Sequence, residues 1–212
     1  MNIEPINKIN VCGLGPGHPS LILPVVHELV NACDVLIGGK RNLEIFNGLS
    51  KEKRFITNNI DELMKFIAER GERKVTLVVS GDTGFYSMLG ALRRHFPAEE
   101  LNVVPGISSF QYMFARLGMS YEDAFLGSLH GKKFDLIETV KHYPKVFCLT
   151  DALHSPRQIA LLLTKNGLGD CILHVGCNLS YENEMILSDK AQNLTDKIID
   201  DKLCSLIIEN EQ

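Results

Sequence analysis

Val75-Thr76-Leu77-Val78-Val79-Ser80-Gly81-Asp82-Thr83-Gly84 joins a β-branched apolar run to a glycine-containing loop. A short apolar run without alternation, closed by turn residues, is the pattern of a strand buried on both faces, as in a parallel sheet. The pattern stands upstream and downstream as well: residues 9–12 lead into Gly13-Leu14-Gly15-Pro16-Gly17, and residues 101–104 lead into Pro105-Gly106-Ile107-Ser108-Ser109. Between these runs the apolar spacing becomes helical. Val25, Val26, Leu29 and Val30 share one helix face behind a cap at Ser20, with Pro24 in the first turn where an N–H is dispensable. Residues 35–37 follow as the second strand, and Ile60, Leu63, Met64 and Ile67 mark a helix that stops by Gly71, which makes residues 75–79 the third. Phe85, Met88, Leu89 and Leu92 repeat the helical spacing before residues 101–104, and Phe110, Phe114 and Leu117 repeat it before Gly118. Strands alternating with helices in this way predict a parallel α/β sheet.

A second α/β layer starts after Gly118-Met119-Ser120, with apolar runs at residues 124–126, 146–149, 171–175, 185–187 and 203–208. Between two of them Ser155 is an N-cap, Pro156 sits at the first helical position, Gln158 closes the capping pattern and Asn166-Gly167 supplies the stop. The chain therefore reads as two α/β domains, residues 1–117 and 118–212, joined near residues 115–122. No internal repeat or biased segment interrupts them.

The 212 residues are 45% hydrophobic and 23% charged, which excludes disorder and collagen-like sequence and allows a packed core. No apolar run approaches the roughly 18 residues of a membrane span, and Met1 to Asn10 lack the charged start and apolar stretch of a signal peptide. The expectation is a cytoplasmic protein with no membrane partner. A net charge of −4 argues against nucleic acid as a partner while leaving room for a local basic patch. Cys12, Cys33, Cys148, Cys171, Cys177 and Cys204 form no C-x-x-C pair and read as reduced, buried thiols. The seven histidines show no zinc spacing, so no protein-bound metal is expected.

Loops that follow parallel strands emerge at one carboxyl edge, where open α/β sheets bind ligands. Three glycine loops there define one crevice, with bare backbone for close approach and the hydroxyls of Ser80, Thr83, Ser108 and Ser109 beside it. A dinucleotide fingerprint is missing, because His18 stands next after Gly17 and the second strand ends in Gly38-Gly39-Lys40-Arg41 rather than in an acid. A phosphate loop is missing too, since no G-K-[ST] follows the glycines. Asp82 is the one carboxylate in the three loops, suited both to accept hydrogen bonds from a ligand and to cap the helix that carries Phe85 and Met88. Lys40, Arg41, His130, Lys132, Lys133 and Arg157 are candidate partners for substrate carboxylates, or solvated surface charges. No hydrolytic triad, carboxylate pair or activated cysteine stands out.

Taken together and in order, these loops resemble the tetrapyrrole methylase family, S-adenosylmethionine-dependent enzymes of cobalamin and sirohaem synthesis. Within it, the segments at residues 35–41, 80–87 and 104–109, Ser128-Leu129-His130-Gly131, and Leu179-Ser180-Tyr181-Glu182-Asn183-Glu184 are similar to the branch that methylates ring carbon 5 of precorrin-7. The resemblance implies a homodimer of two-domain α/β chains, with a mainly parallel N-terminal sheet, a mixed C-terminal sheet and a ligand cleft between the domains. It implies that Leu14, Gly81, Asp82, Phe85, Ser108 and Ser109 hold the methyl donor. Gly15, Pro16, Gly17, Lys40, Arg41 and Lys132 then face the tetrapyrrole, with His130 and Tyr181 as candidate bases or substrate contacts. Lys132 stands where the branch often has arginine, and Cys177 where an acid is common. The absence after Gln212 of the extra domain seen in fused relatives implies carbon 5 chemistry only. The implied reaction is one in-line methyl transfer to an electron-rich ring carbon of the corrin precursor cobalt-precorrin-7, giving cobalt-precorrin-8. The alternatives are a relative acting on another tetrapyrrole carbon, a modified histidine or a ribose of RNA, and a non-catalytic module that only senses the cofactor.

Overall fold

The computed structural model describes residues 9–71, 73–129, 134–197 and 204–210. The chain divides into two compact units, Met1–Ser108 and Ser109–Gln212.

In the first unit β1 (Ile9–Gly13), α1 (Pro24–Ala32), β2 (Val35–Gly38), α2 (Lys40–Glu44), β3 (Glu52–Phe55), α3 (Ile60–Ala68), β4 (Val75–Val79), α4 (Leu89–Leu92) and β5 (Leu101–Val104) follow one another. The sheet order is β3-β2-β4-β1-β5, and every neighbouring pair is parallel. Every residue of β2 and β4 is buried, because helices cover both faces of the sheet. Val35, Ile37, Val75, Leu77 and Val79 point to the layer formed by Leu63, Met64 and Ile67 of α3 and Leu92 of α4. Leu36 and Val78 point the other way, to Val26 and Val30 of α1 and Leu43 of α2. Each such fully buried side chain contributes about 1.5–3 kcal/mol, so the apolar runs secure the strands. A polar ladder crosses the same sheet, from Asn102 to Asn10 at 2.8 Å and from Asn10 to Thr76 at 3.2 Å.

Three local expectations need correction. Ser20 does not cap α1: it lies in a short 3-10 turn, Pro19–Leu21, capped by the His18 ring, and α1 starts at Pro24 with no side-chain cap. Val25 is 41% exposed, so the buried stripe of α1 is Val26 and Val30. Phe85 and Met88 are not in a helix, since α4 spans only Leu89–Leu92 and Tyr86 has a φ of 49°, which no right-handed helix admits. The edge strand β3 and the short α2 carried no apolar signal and are additions to the sequence reading.

The second unit comprises α5 (Ser109–Leu117), β6 (Ala124–Ser128), α6 (Leu136–His142), β7 (Lys145–Leu149), α7 (Pro156–Lys165), β8 (Ile172–Cys177), β9 (Met185–Lys190), α8 (Ala191–Leu194) and β10 (Cys204–Glu209). Its sheet, ordered β6-β7-β10-β8-β9, is mixed: β6 and β7 are parallel and the other pairs antiparallel. One face packs on Val140, Ile159, Leu163 and Leu194 of the helices α6 to α8. On the other face the Phe110 ring of α5 meets Phe147 edge-on at 5.9 Å, and α5 approaches Gly176 so closely that a Cβ there would lie 3.0 Å from the Met113 sulfur. The expected ends of α7 are present: Ser155 Oγ accepts from Gln158 N, Pro156 opens the helix and Gly167 adopts a φ of 77° beyond it. Leu203, the first residue of the last expected strand, lies outside the described residues.

The cysteines are not all reduced. Cys177 and Cys204 face each other in the antiparallel register of β8 and β10, with a Cα separation of 4.1 Å, and form a disulfide. Sequence separation hid this pair, which only strand register brings together. Cys12, Cys33, Cys148 and Cys171 are free and buried. Among the described residues no helix is long and apolar enough to cross a membrane.

Candidate active site

Strand order brings the glycine loops together. β4 inserts between β2 and β1, and β5 flanks β1 on its other side, so the loops after β4, β1 and β5 leave one edge as immediate neighbours. Gly15 and Gly81 exchange backbone hydrogen bonds, Gly81 N donating to Gly15 O at 2.7 Å and Gly15 N to Gly81 O at 3.2 Å. A Cβ on Gly13 would stand 2.6 Å from both Gly106 N and Gly81 O, so the three backbones touch where these glycines lie. Gly15 and Gly81 also take φ values of 78° and 67°, conformations that favour glycine.

Asp82 locks this junction. Its Oδ1 accepts from Gly84 N at 2.8 Å and its Oδ2 from Gly106 N at 3.2 Å. The carboxylate thus closes its own turn and ties the β4 loop to the β5 loop; it does not cap α4, which begins at Leu89. Ser80 Oγ donates to Asn42 Oδ1 at 3.0 Å, which fastens the same loop to α2. Thr83 and Ser108 are buried, and Ser109 opens α5. Phe85 is half-buried with its ring 4.8 Å from that of Tyr86 and nearly perpendicular to it. Leu14 is buried in the apolar layer, its N donating to Val79 O at 2.9 Å, while Pro16 and Gly17 are half-buried. Lys40 and Arg41 are exposed in the first turn of α2, directly beyond the carboxyl end of β2.

In the second unit Tyr181 lies in the turn between β8 and β9, half-buried, its N donating to Asn178 O at 3.0 Å. Asn178 and Ser180 have φ values of 50° and 68°, left-handed conformations that non-glycine residues adopt at a cost of about 1–3 kcal/mol each. Glu184 reaches back over this turn to accept from Ser180 N at 2.6 Å, and accepts Arg116 Nε of α5 at 2.9 Å. Burial opposes its charged form, yet the Ser180 amide, the Tyr112 hydroxyl and Arg116 together hold the Glu184 carboxyl below the usual range. Burial and then the same carboxylate push the Tyr112 hydroxyl up. Arg157 stands in the first turn of α7, 4.0 Å from Asp196. His130, Lys132 and Lys133 lie outside the described residues.

Sequence reasoning gave no role to Tyr86, Asn42 or Glu184. A left-handed aromatic leaves no pattern in sequence, whereas the acid closing Leu179-Ser180-Tyr181-Glu182-Asn183-Glu184 was a visible signal. Among the described residues no cluster of histidine, cysteine or acidic side chains is arranged to hold a metal ion.

Residues 8–195 match the pattern of the family described as tetrapyrrole (corrin/porphyrin) methylases. Over 178 residues the chain is 35% identical to a cobalt-precorrin-7 C(5)-methyltransferase of Salmonella typhimurium, covering 84% of this chain and 88% of that protein. The crystal structure of a cobalamin biosynthesis precorrin-6Y methylase from Archaeoglobus fulgidus has the same fold, with a TM-score of 0.76 at 22% identity over 97% of this chain and 100% of that one. So does a uroporphyrin-III C-methyltransferase from Thermus thermophilus complexed with S-adenosylhomocysteine, with a TM-score of 0.77 at 17% identity over 96% and 97% of the two chains. The chain belongs to the tetrapyrrole (corrin/porphyrin) methylases.

Proposed function

We propose that this methyltransferase moves the methyl group of S-adenosylmethionine to ring carbon 5 of cobalt-precorrin-7, giving cobalt-precorrin-8 in cobalamin synthesis. The observation that carries it is the junction of three glycine loops at one sheet edge, closed by the Gly15–Gly81 and Asp82–Gly106 hydrogen bonds. It occurs in a chain 35% identical to an enzyme named for that reaction.

The residues at the junction suit the donor. The open space beside the Gly81 Cα lets a polar adenosyl compound approach the backbone, the hydroxyls of Ser108 and Ser109 suit hydrogen bonds to it, and Phe85 offers an apolar ring. The donor supplies a methyl group already activated by a positively charged sulfur, which is why no nucleophilic side chain is needed. Leu14, Gly81, Asp82, Phe85, Ser108 and Ser109 bind and orient it, Leu14 through its backbone because its side chain is packed in the core. Gly15, Pro16 and Gly17 line the macrocycle side, and Lys40, Arg41 and Lys132 pair with its carboxylates by charge-assisted hydrogen bonds. Orientation and exclusion of water are the protein's contribution to rate. The His130 imidazole or the Tyr181 hydroxyl takes the proton lost from the macrocycle after transfer. The enzyme works as a homodimer in the cytoplasm, which sedimentation would register as twice the chain mass.

Incubating the protein with S-adenosylmethionine and cobalt-precorrin-7 tests this. Release of S-adenosylhomocysteine with one methyl added at carbon 5, located by NMR, is expected. Methylation at another carbon, or donor binding without turnover, would overturn it.

A further inference from the structure

We propose that Glu184 is a positioning residue that pins the turn carrying Tyr181 to helix α5. The inference rests on the reading of Tyr181 as a group that meets the substrate.

Three observations support it. First, the turn between β8 and β9 holds Ser180 in a left-handed conformation that serine disfavours, two residues after a left-handed Asn178, a residue type that tolerates it. Such a turn persists only where its surroundings dictate it. Second, bonds from the turn and from α5 converge on one carboxylate. Oε2 of Glu184 accepts the Ser180 amide at 2.6 Å, Oε1 accepts Arg116 Nε at 2.9 Å, and the Tyr112 hydroxyl donates to the same carboxylate. Third, the two sets of donors come from different elements. Ser180 belongs to the turn, next to Tyr181, while Tyr112 and Arg116 sit on α5, one helical turn apart. The Glu184 side chain is only 14% exposed, so the carboxylate is a shielded junction and not a solvated surface charge.

Its chemistry is specific. A carboxylate accepts at both oxygens, whereas a glutamine amide accepts at one and donates at the other. Glu184→Gln keeps the shape of the side chain but sets an N–H against either the Ser180 amide or Arg116. The turn then loses its anchor, and Tyr181 moves with Ser180. Asp82 bonds Gly84 and Gly106, and Gly81 bonds Gly15, so Glu184→Gln leaves those bonds in place and the methyl donor is held as before.

The test compares Glu184→Gln, Tyr181→Phe and the double variant in steady-state assays with S-adenosylmethionine and cobalt-precorrin-7. Glu184→Gln is expected to lower kcat/KM for the tetrapyrrole by about ten-fold or more, with calorimetric affinity for S-adenosylhomocysteine within about two-fold of the parent. The double variant is expected to be no more than about two-fold slower than Tyr181→Phe, because both changes disable one element. Multiplicative losses in the double variant would overturn the proposal and leave the reading of Tyr181 standing, as would normal kinetics in Glu184→Gln beside an impaired Tyr181→Phe. A Tyr181→Phe enzyme with unchanged kinetics would overturn the reading of Tyr181 and the inference with it. Should Glu184→Gln fail to fold, Arg116→Gln and Tyr112→Phe each remove one donor and leave the carboxylate on Ser180. Each is then expected to lower kcat/KM by a smaller factor that vanishes in the Tyr181→Phe background, and a factor that persists there overturns the proposal.

Discussion

Gly106 lies so near Gly81 that a Cβ built on it would stand 2.3 Å from the Gly81 carbonyl oxygen and 2.7 Å from the carbonyl carbon of Gly13. These are backbone atoms and cannot swing aside like a side-chain tip. The loops after β1, β4 and β5 are therefore packed on one another through their main chains, and the absence of side chains at the junction is a steric requirement before it is a feature of ligand binding.

Gly106→Ala should accordingly separate the β5 loop from its neighbours. Overpacking of this kind costs about 1–3 kcal/mol, and the unfolding midpoint in urea should fall to match. Gly48→Ala is the control, since nothing lies within 4 Å of its Cβ position, and its stability should stay within about 0.5 kcal/mol of the parent. Equal stability of the two variants would refute the main-chain packing.

Asp82 carries the second prediction. Its two oxygens each satisfy a backbone amide, one in its own turn and one in the loop after β5. Asp82→Ala frees both amides and unties the two loops. A loss of about 1–3 kcal/mol in stability is expected from the two lost hydrogen bonds to a charged group, together with a drop of about ten-fold or more in calorimetric affinity for S-adenosylhomocysteine. Unchanged affinity would remove Asp82 from the donor site and leave it a loop tie alone.

The parallel strands were legible because burial on both faces writes an unbroken apolar run: residues 75–79 and 35–37 could be read directly, and the structure buries all of them. Where burial is absent the signal vanishes. β3, Glu-Lys-Arg-Phe on the outer edge of the sheet, has no buried residue and no period to find. Phe85, Met88, Leu89 and Leu92 kept a helical spacing, but the left-handed Tyr86 breaks the chain's path, so the helix takes in only Leu89 and Leu92 and leaves Phe85 and Met88 outside it. At the site the glycine loops announced themselves, while the bond from Gly106 to Asp82 did not. It depends on β5 lying beside β1 and β1 beside β4, a strand order that no local pattern encodes. The disulfide and the Glu184 cluster were hidden for the same reason, being products of register and of a turn folding back on a distant helix.

Asp189 provides a pH-dependent test of the second sheet. The Asn193 side chain, then Lys197 and the backbone amide of Lys190, draw its carboxyl down from an ordinary 3.8 to about 2. A lowered native pKa means that the charged form stabilises the fold above the ordinary value and that this contribution is lost as pH falls through about 2. NMR titration should place the Asp189 midpoint near 2, and Asp189→Asn should flatten the acid arm of the stability curve between there and 3.8. A midpoint at the ordinary value would mean that the bonds at the start of α8 do not persist in solution.

Thiol chemistry supplies the last test. Burial pushes the thiols of Cys12 and Cys148 up to about 12, with Cys33 adding to the effect at Cys12, and burial raises Cys33 and Cys171 as well. The thiolate is the reactive form, so none of the four free cysteines should react quickly with an aromatic disulfide reagent at about pH 8 while the protein is folded. Unfolding without a reductant should then release four reactive thiols, and prior reduction should raise the count to the six of the sequence. Six thiols without reduction would show that Cys177 and Cys204 stand unbonded in solution. A fast thiol in the folded enzyme would instead show that one of the buried layers opens readily, and mapping the labelled residue would say whether it is the sheet beneath the glycine loops or the one beneath the Tyr181 turn.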